Sequence, residues 1–125
     1  MATSQRVIPI FTSSGVLSAY LIYPYIYNQA GEWIGWMARN RQVYSIQGNY
    51  VGWMNDDPRI LRKKSTAHMK PRLTPPPPPG KINLPDVAFD PPKMADLKSG
   101  TFDVLENAPD LLPPSGNAIQ ANKPK

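Results

Sequence analysis

The chain has 125 residues with 14 Lys or Arg and 9 Asp or Glu, which gives a formal net charge of +5. This length predicts one domain with flanking segments. Cysteine is absent, which excludes a disulfide framework and fits a cytoplasmic protein better than a secreted or membrane-associated one.

Aromatic residues and prolines divide the chain into two parts. All 3 tryptophans and all 6 tyrosines precede residue 54, whereas 13 of the 16 prolines follow residue 70. Residues 1–70 carry the net charge of +5, and residues 71–125 are neutral. We therefore predict a β-hairpin repeat domain over 7–66, a basic and polyproline linker over 67–80, and a largely disordered tail over 81–125 with short interaction segments.

The first uncharged stretch, from Val7 to Gly31, leaves two interpretations open. It could be a signal peptide or a transmembrane helix. Pro9, Pro24 and the polar residues 12–15 disfavour both, and a β-hairpin repeat accounts for the stretch better.

Three segments of the repeat region share one pattern, which begins with a β-branched residue, an aromatic residue and a turn former. A glycine follows three residues after the turn former, and the segments start 16 and 17 residues apart. The starts are Ile10, Ile26 and Val43, and the glycines are Gly15, Gly31 and Gly48. This pattern is typical of a hairpin with a type I turn and a glycine bulge. A fourth segment starts at Ile60 and then loses the pattern.

The second strand of each hairpin alternates, which predicts that Ile34 shares a face with Trp36 and that Val51 shares one with Trp53. Four large side chains then lie on the opposite face: Trp33, Met37, Tyr50 and Met54. An exposed face of this kind marks an interaction surface, for self-association or for a foreign ligand such as a carbohydrate on Trp33 and Tyr50. The alternative is that the tail or a neighbouring hairpin buries these side chains.

The units Tyr27–Trp36 and Tyr44–Trp53 both read Tyr-x-x-x-Gly-x-x-(Ile/Val)-Gly-Trp. Over about residues 8–65 the chain thereby resembles the bacterial four-fold beta flower proteins. The resemblance implies an all-β domain of three to four β-hairpins around a pseudo-symmetry axis, and it implies no established activity. The chain departs from the pattern in the first unit, where Ala19-Tyr20 replaces Gly-Trp, and in the fourth.

Basic side chains cluster at the end of the repeat region. The candidates for binding a polyanion are Arg59, Arg62, Lys63 and Lys64, joined by Arg39, Arg41 and Lys70. Such a cluster beside aromatic residues can bind phosphates or stack single-stranded bases. It can equally be a solvated strand end that keeps the protein soluble.

The linker contains five consecutive prolines, Pro75 to Pro79, which favour a stiff polyproline II rod. The rod is either a spacer or a partner motif, because Arg72, Pro75 and Pro78 have the Arg-x-x-Pro-x-x-Pro spacing that SH3-like domains accept. Beyond it, Asp90 could begin a short helix over 91–98 that folds on a partner.

The only histidine, His68, has no acid, nucleophile or second ligand at a useful spacing. We therefore predict no catalytic residue, no metal, no cofactor and no membrane insertion. The sequence favours a non-enzymatic structural or protein-interaction module whose repeat domain forms a homo-oligomer and whose tail recruits a protein partner. The alternatives are polyanion or nucleic-acid binding through the basic cluster and carbohydrate binding through exposed aromatics.

Overall fold

The computed structural model describes residues 6–80, 82–84 and 89–114. Eight strands form one antiparallel sheet in chain order: β1 (Ile8–Phe11), β2 (Leu17–Ile22), β3 (Tyr25–Asn28), β4 (Trp33–Met37), β5 (Gln42–Ser45), β6 (Tyr50–Met54), β7 (Ile60–Lys63) and β8 (Thr101–Asp103). The helices are short: α1 (Val104–Asn107) and 3₁₀ turns at Arg39–Arg41, Thr66–His68 and Pro109–Leu111. The all-β prediction is confirmed, and the uncharged stretch at the start of the chain forms β1, β2 and β3.

The predicted hairpin turns are confirmed. In each of the first three hairpins the turn glycine has a positive φ of 80–89°, and its N–H donates to the carbonyl of the turn former at 2.9–3.0 Å. The pairs are Gly15 with Thr12, Gly31 with Asn28 and Gly48 with Ser45. The sheet curls so that its ends approach each other. At the point of approach, the N–H of Phe11 in β1 donates at 2.9 Å to the carbonyl of Pro58, which precedes β7.

The fourth hairpin is completed by a strand from the predicted tail. β7 pairs with β8 with Leu61 opposite Asp103, and the N–H of Lys64 donates to Gly100 O at 2.8 Å. The hairpin therefore exists with a long connection, residues 64–100, inserted between its strands. The sheet therefore extends beyond the boundary predicted at residue 66. The sequence did not reveal β8, because a three-residue strand so far from β7 has no recognisable alternation. The disorder predicted for the tail falls partly on residues 81, 85–88 and 115–125, which lie outside the described ones.

The predicted assignment of side chains to the two faces is wrong, because two β-bulges interrupt the alternation. Gly35 lies opposite Ile26, but Trp33 rather than Ile34 lies opposite Tyr27. An extra residue in one strand reverses the alternation beyond it. Trp33 and Trp36 therefore share one face, and Ile34 belongs to the other.

The same irregularity occurs in the third hairpin, where Tyr44 lies opposite Tyr50 and Val43 lies opposite Gly52. Val51 is the extra residue, and it packs with Val43. Trp53 lies opposite Gln42, so it is on the face of Tyr44 and not on that of Val51.

One face of the sheet is aliphatic. Its buried cluster consists of Ile10, Ala19, Leu21, Ile26, Ile34, Val43, Val51, Met54 and Ile60, with Val104 and Leu112 packed on it. Val104 lies in α1 and Leu112 follows the last 3₁₀ turn, so residues of the predicted tail cover this face. Asp103 caps α1 by accepting a hydrogen bond from the Glu106 N–H at 3.3 Å.

The other face is aromatic. Its buried cluster consists of Tyr27, Trp33, Trp36, Tyr44 and Tyr50. Trp36 stacks on Tyr44 with ring centroids 5.1 Å apart, and Tyr44 meets Tyr50 edge to face at 5.6 Å. Such pairs add directional contacts to the burial of large apolar area.

The described residues of the proline-rich segment (71–80, 82–84 and 89–97) lie across the aromatic face and contact the hairpin turns in reverse order. The N–H of Leu73 donates to Gly48 O at 3.0 Å, and the N–H of Ile82 donates to Gly31 O at 3.1 Å. Between them the Tyr25 hydroxyl donates to Pro77 O at 2.7 Å. The predicted polyproline spacer is thus docked on the sheet of its own chain.

The helix predicted over 91–98 is absent. The backbone of Ala95 instead bonds to side chains of the turn before β7, with its N–H on Asp57 Oδ2 at 3.2 Å and its carbonyl on Arg59 Nη2 at 2.8 Å. These contacts use the groups that a helix would pair internally.

Gly48→Ala should lower the free energy of unfolding by about 2 kcal/mol or more. An added Cβ at the positive φ of 89° would also meet the carbonyl of Leu73 in the docked segment. Urea denaturation measures the loss. The matched control is Gly80→Ala, where a Cβ would meet nothing within 4 Å and the change should stay within about 1 kcal/mol. Equal losses in the two variants would contradict the docking of Leu73.

Candidate functional site

The four side chains predicted to form an interaction surface do not lie together on an exposed face. Trp33, Tyr50 and Met54 are 6, 8 and 2% exposed, and Met37 is half-buried. Trp33 and Tyr50 belong to the aromatic cluster, whereas Met37 and Met54 pack in the aliphatic one. The expectation of an exposed surface is therefore corrected: the bulges divide these residues between two cores.

The predicted basic cluster is also divided. Arg59 is 2% exposed, and Arg62 is half-buried with its guanidinium donating to the carbonyls of Tyr50 and Val51 at 3.2 and 3.1 Å. Lys64 is exposed, and the half-buried Lys63 places its ammonium 5.9 Å from the centroid of the Trp53 ring. Of the four predicted residues, Lys63 and Lys64 carry ammonium groups that form no ion pair within the described residues, so both can contact a ligand.

Arg59 is the centre of a buried polar network. Its guanidinium forms a bidentate pair with Asp57 at 3.0 and 2.6 Å, and it donates to Ser13 Oγ at 2.8 Å and to Ala95 O at 2.8 Å. Ser13 in turn donates from its N–H and its hydroxyl to Asp103, which is 1% exposed, at 2.6 and 2.8 Å. Four hydrogen bonds of the buried Arg59 thus serve the fold, and its guanidinium is not exposed to a polyanion.

The predicted tail motif lies along the docked segment. Arg72 and Pro78 are exposed, and Pro75 is half-buried. The structure does not test whether a partner binds there, and the motif stays a prediction. The side chain of His68 is outside the described part of the structure.

An open cleft of about 350 Å³ lies on the aromatic face where the proline-rich segment leaves it uncovered. Its principal lining residues are Gln42, Tyr50, Trp53, Lys63, Met69 and Lys70. Lys63 and Lys70 each place an ammonium 5.9 Å from an aromatic centroid, that of Trp53 and that of Tyr50. Burial raises the pKa of Tyr50, with Tyr44 adding to the rise and Arg62 opposing it, so its hydroxyl stays neutral.

Gln42 lines the open cleft, but its carbonyl oxygen is sealed from the cleft. The amide nitrogen of Gln42 donates to Asn40 O at 2.9 Å, while its Oε1 is buried and has no hydrogen-bond partner within the described residues. An atom that water does not reach is equally out of reach of a ligand, so this acceptor contributes no contact to the cleft.

A smaller, partly open chamber of about 230 Å³ lies beside the open cleft and shares Trp53 and Lys63 with it. Leu61 and Leu97 line the chamber with Lys98 and Thr101. Thr101 is 8% exposed, and its Oγ1 has no hydrogen-bond partner among the described residues.

Sheet and clefts together define a small all-β module built from repeated hairpins. The sequence model of the 4-fold beta flower proteins matches residues 8–95, more than half of the chain, so the chain belongs to this family. The match includes the first seven strands and most of the proline-rich segment. No curated protein and no solved structure matches the chain.

The described ranges, 6–80, 82–84 and 89–114, lack two further features. They contain no group of three or more His, Cys, Asp or Glu side chains that could hold a metal ion. They also contain no helix long and apolar enough to cross a membrane.

Sequence reasoning missed Gln42 and Thr101. Each is a single polar residue within a strand, and nothing in its local pattern shows that its side chain becomes buried without a partner. Trp53 was singled out for the core, and Lys63 was singled out as a candidate for binding a polyanion. Only the pairing of β5, β6, β7 and β8 brings the four residues to one side of the sheet.

Arg59→Met should lower the free energy of unfolding by about 3 to 5 kcal/mol, because it leaves the carboxylate of Asp57 without its buried partner. Chemical denaturation measures the loss. The matched control is Arg39→Met, because Arg39 is exposed and forms no ion pair within the described residues. That change should cost about 1 kcal/mol or less. A small loss for Arg59→Met would show that the network does not carry the fold.

The Asp57 carboxylate should make stability depend on acid pH. Burial by itself raises its pKa, but hydrogen bonds from Arg59, Asn55 and the Ala95 N–H, together with the charge of Arg59, bring the pKa below the ordinary value of 3.8. A depressed pKa gives stability that is present above the unfolded value and is lost as the pH falls through the folded one.

The measurement is the unfolding free energy of the wild type and of Asp57→Asn from neutral pH to about pH 2. The advantage of the wild type should be greatest at neutral pH and should shrink below about pH 4. Asp56→Asn, at an exposed neighbouring position, is the control and should follow the wild-type curve. A gap that stays constant with pH would contradict the depressed pKa.

Proposed function

We propose that this 4-fold beta flower protein is a non-enzymatic binding module that holds single-stranded nucleic acid in the open cleft at Trp53. One observation supports the proposal above the others: two ammonium groups stand over two aromatic rings that line one cleft. Proteins that bind single strands combine such positive charge with aromatic surfaces for the bases.

The charges around the cleft suit phosphate. Lys63 and Lys70 line it, no Asp or Glu does, and neither lysine forms an ion pair with a described residue. Lys64 and Arg72 are exposed at neighbouring positions of the chain and can extend the positive strip. Phosphate contacts of this kind give affinity without sequence preference.

The cleft also suits a base. Trp53 is partly exposed, in contrast to Trp33 and Trp36 in the buried cluster. The exposed part of the Trp53 ring can stack on the face of any base. Duplex DNA has its base faces stacked on one another, so the cleft favours an unpaired strand.

The other interpretations of the sequence have weaker support. Self-association through Trp33, Tyr50 and Met54, or carbohydrate stacking on Trp33, needs exposed side chains, and these are 8% exposed or less. Recruitment of a partner by Arg72, Pro75 and Pro78 needs a segment that is not docked on the sheet. The carbonyl of Pro77 already accepts a hydrogen bond from the Tyr25 hydroxyl.

The test is fluorescence anisotropy of a labelled single-stranded oligonucleotide of about 10 nucleotides against the full chain over a range of salt concentrations. Lys63→Ala and Lys70→Ala should each weaken binding and reduce the slope of log K against log salt by about 0.7. Trp53→Leu should weaken binding by about 1 to 3 kcal/mol and leave the slope unchanged, because it removes an uncharged stacking surface.

Lys93→Ala is the matched control, since Lys93 is exposed and lines neither cavity. It should leave affinity and slope as in the wild type. Three outcomes would overturn the proposal: no binding of the oligonucleotide, equal weakening by Lys93→Ala, or binding of heparin without binding of the oligonucleotide. The last would assign the lysines to another polyanion.

A further inference from the structure

We propose that a bound single strand continues past Trp53 from the open cleft into the smaller chamber. The two cavities then receive two successive bases, and the phosphate between these bases lies at Lys63. This inference rests on the proposed function and adds to it the path of the strand. Its basis is that Trp53 and Lys63 are the two residues that line both cavities.

The register of the sheet places the two cavities side by side on the aromatic face. Trp53 lies opposite Gln42 on one side and opposite Leu61 on the other. Residues that lie directly opposite each other in antiparallel strands present their side chains on the same face of the sheet. Gln42 lines the open cleft and Leu61 lines the chamber, so Trp53 lies between the two cavities.

The spacing of the strands separates the two bases. Neighbouring strands lie about 4.8 Å apart, so the row from Gln42 through Trp53 to Leu61 covers about 10 Å. Stacked nucleotides in one strand of DNA advance by only about 3.4 Å. Bases on either side of Trp53 are therefore too far apart to stack on each other, and the partly exposed indole supplies the stacking surface instead.

The chamber suits an uncharged base better than a phosphate. Asp96 and Lys98 line it, are both exposed and have opposite charges, so together they give no preference for an anion. Arg59 is 2% exposed and offers no accessible charge. The half-buried Leu97 adds apolar surface to that of Trp53. A volume of about 230 Å³ is below the usual range for drug-sized ligands, which limits the occupant to about one base.

Lys63 is placed for the phosphate that joins the two bases. Its ammonium lies 5.9 Å from the centroid of the Trp53 ring and forms no ion pair within the described ranges. A strand that leaves the open cleft for the chamber has to pass this boundary. Lys70 lines the open cleft and not the chamber, so it is left for the phosphate on the other side of the first base.

The wall of the chamber is held by the buried network. Asp57 Oδ2 accepts from the N–H of Ala95 at 3.2 Å, and Arg59 Nη2 donates to the carbonyl of Ala95 at 2.8 Å. These bonds fix the backbone two residues before Leu97 in the absence of a ligand. Entry of a base therefore requires little ordering of the protein.

The test is an NMR titration of the full chain with three probes: thymidine monophosphate, the 5′-phosphorylated thymidine dinucleotide, and the same dinucleotide with one base removed. The complete dinucleotide should bind about tenfold more tightly than the abasic one, which carries the same charge. It should also shift the amide signal of Leu97, whereas thymidine monophosphate should shift that of Lys70 and not that of Leu97.

Leu97→Trp should fill the chamber. It should weaken the complete dinucleotide about tenfold and leave thymidine monophosphate unchanged, which also shows that the variant is folded. Leu84→Trp is the matched control, because Leu84 is likewise half-buried but lines neither cavity. It should bind all three probes like the wild type.

The inference is overturned if the two dinucleotides bind equally, if the complete dinucleotide leaves Leu97 unshifted, or if Leu97→Trp binds it as tightly as the wild type. The proposed function survives each of these results as long as the oligonucleotide of about 10 nucleotides binds with its dependence on Lys63 and Lys70. Absence of binding by the oligonucleotide overturns both, so the two failures are distinguishable.

Discussion

The guanidinium of Arg59 joins three parts of the chain that are far apart in sequence. It is 2% exposed and bonds Asp57 in its own turn, Ser13 in the first hairpin and Ala95 in the proline-rich segment. A buried guanidinium is tolerated only when its donors are satisfied, because taking it out of water costs several kcal/mol. Approach of the sheet ends and docking of the segment are therefore energetically coupled.

The smaller chamber depends on this coupling, because Arg59 and Ala95 both line it and are bonded to each other. The two cavities are built from different parts of the chain. The open cleft needs the connection after β7, which carries Met69 and Lys70. The chamber needs Thr101 from β8 and the wall that begins at Ala95. An isolated repeat region would contain Trp53 and Lys63. It would lack Thr101 and the wall of the chamber that begins at Ala95.

The sequence is informative where the structure is set by local chemistry. Turn formers and glycines fix the hairpins because a positive φ is a property of one residue, such as Gly31 or Gly48. The faces were misread because a bulge is a relation between two strands: nothing near Ile34 in the sequence shows that it has no direct partner. β8 was missed for a related reason. A strand of three residues has no pattern of its own, and it forms only because β7 presents an open edge. Gln42 and Thr101 could not be recognised as site residues, because their burial is decided by the same pairings.

The uneven composition of the chain has one physical explanation. An eight-stranded sheet that is apolar on both faces must be covered on both, and α1 with Leu112 covers only the aliphatic side. The aromatic side is covered by the proline-rich segment, whose preset polyproline conformation loses little entropy on docking and suits aromatic surfaces. Aromatic residues early in the chain and prolines late in it are thus two sides of one internal interface. That interface does not cover Trp53. This tryptophan is therefore partly exposed, and it lines both cavities.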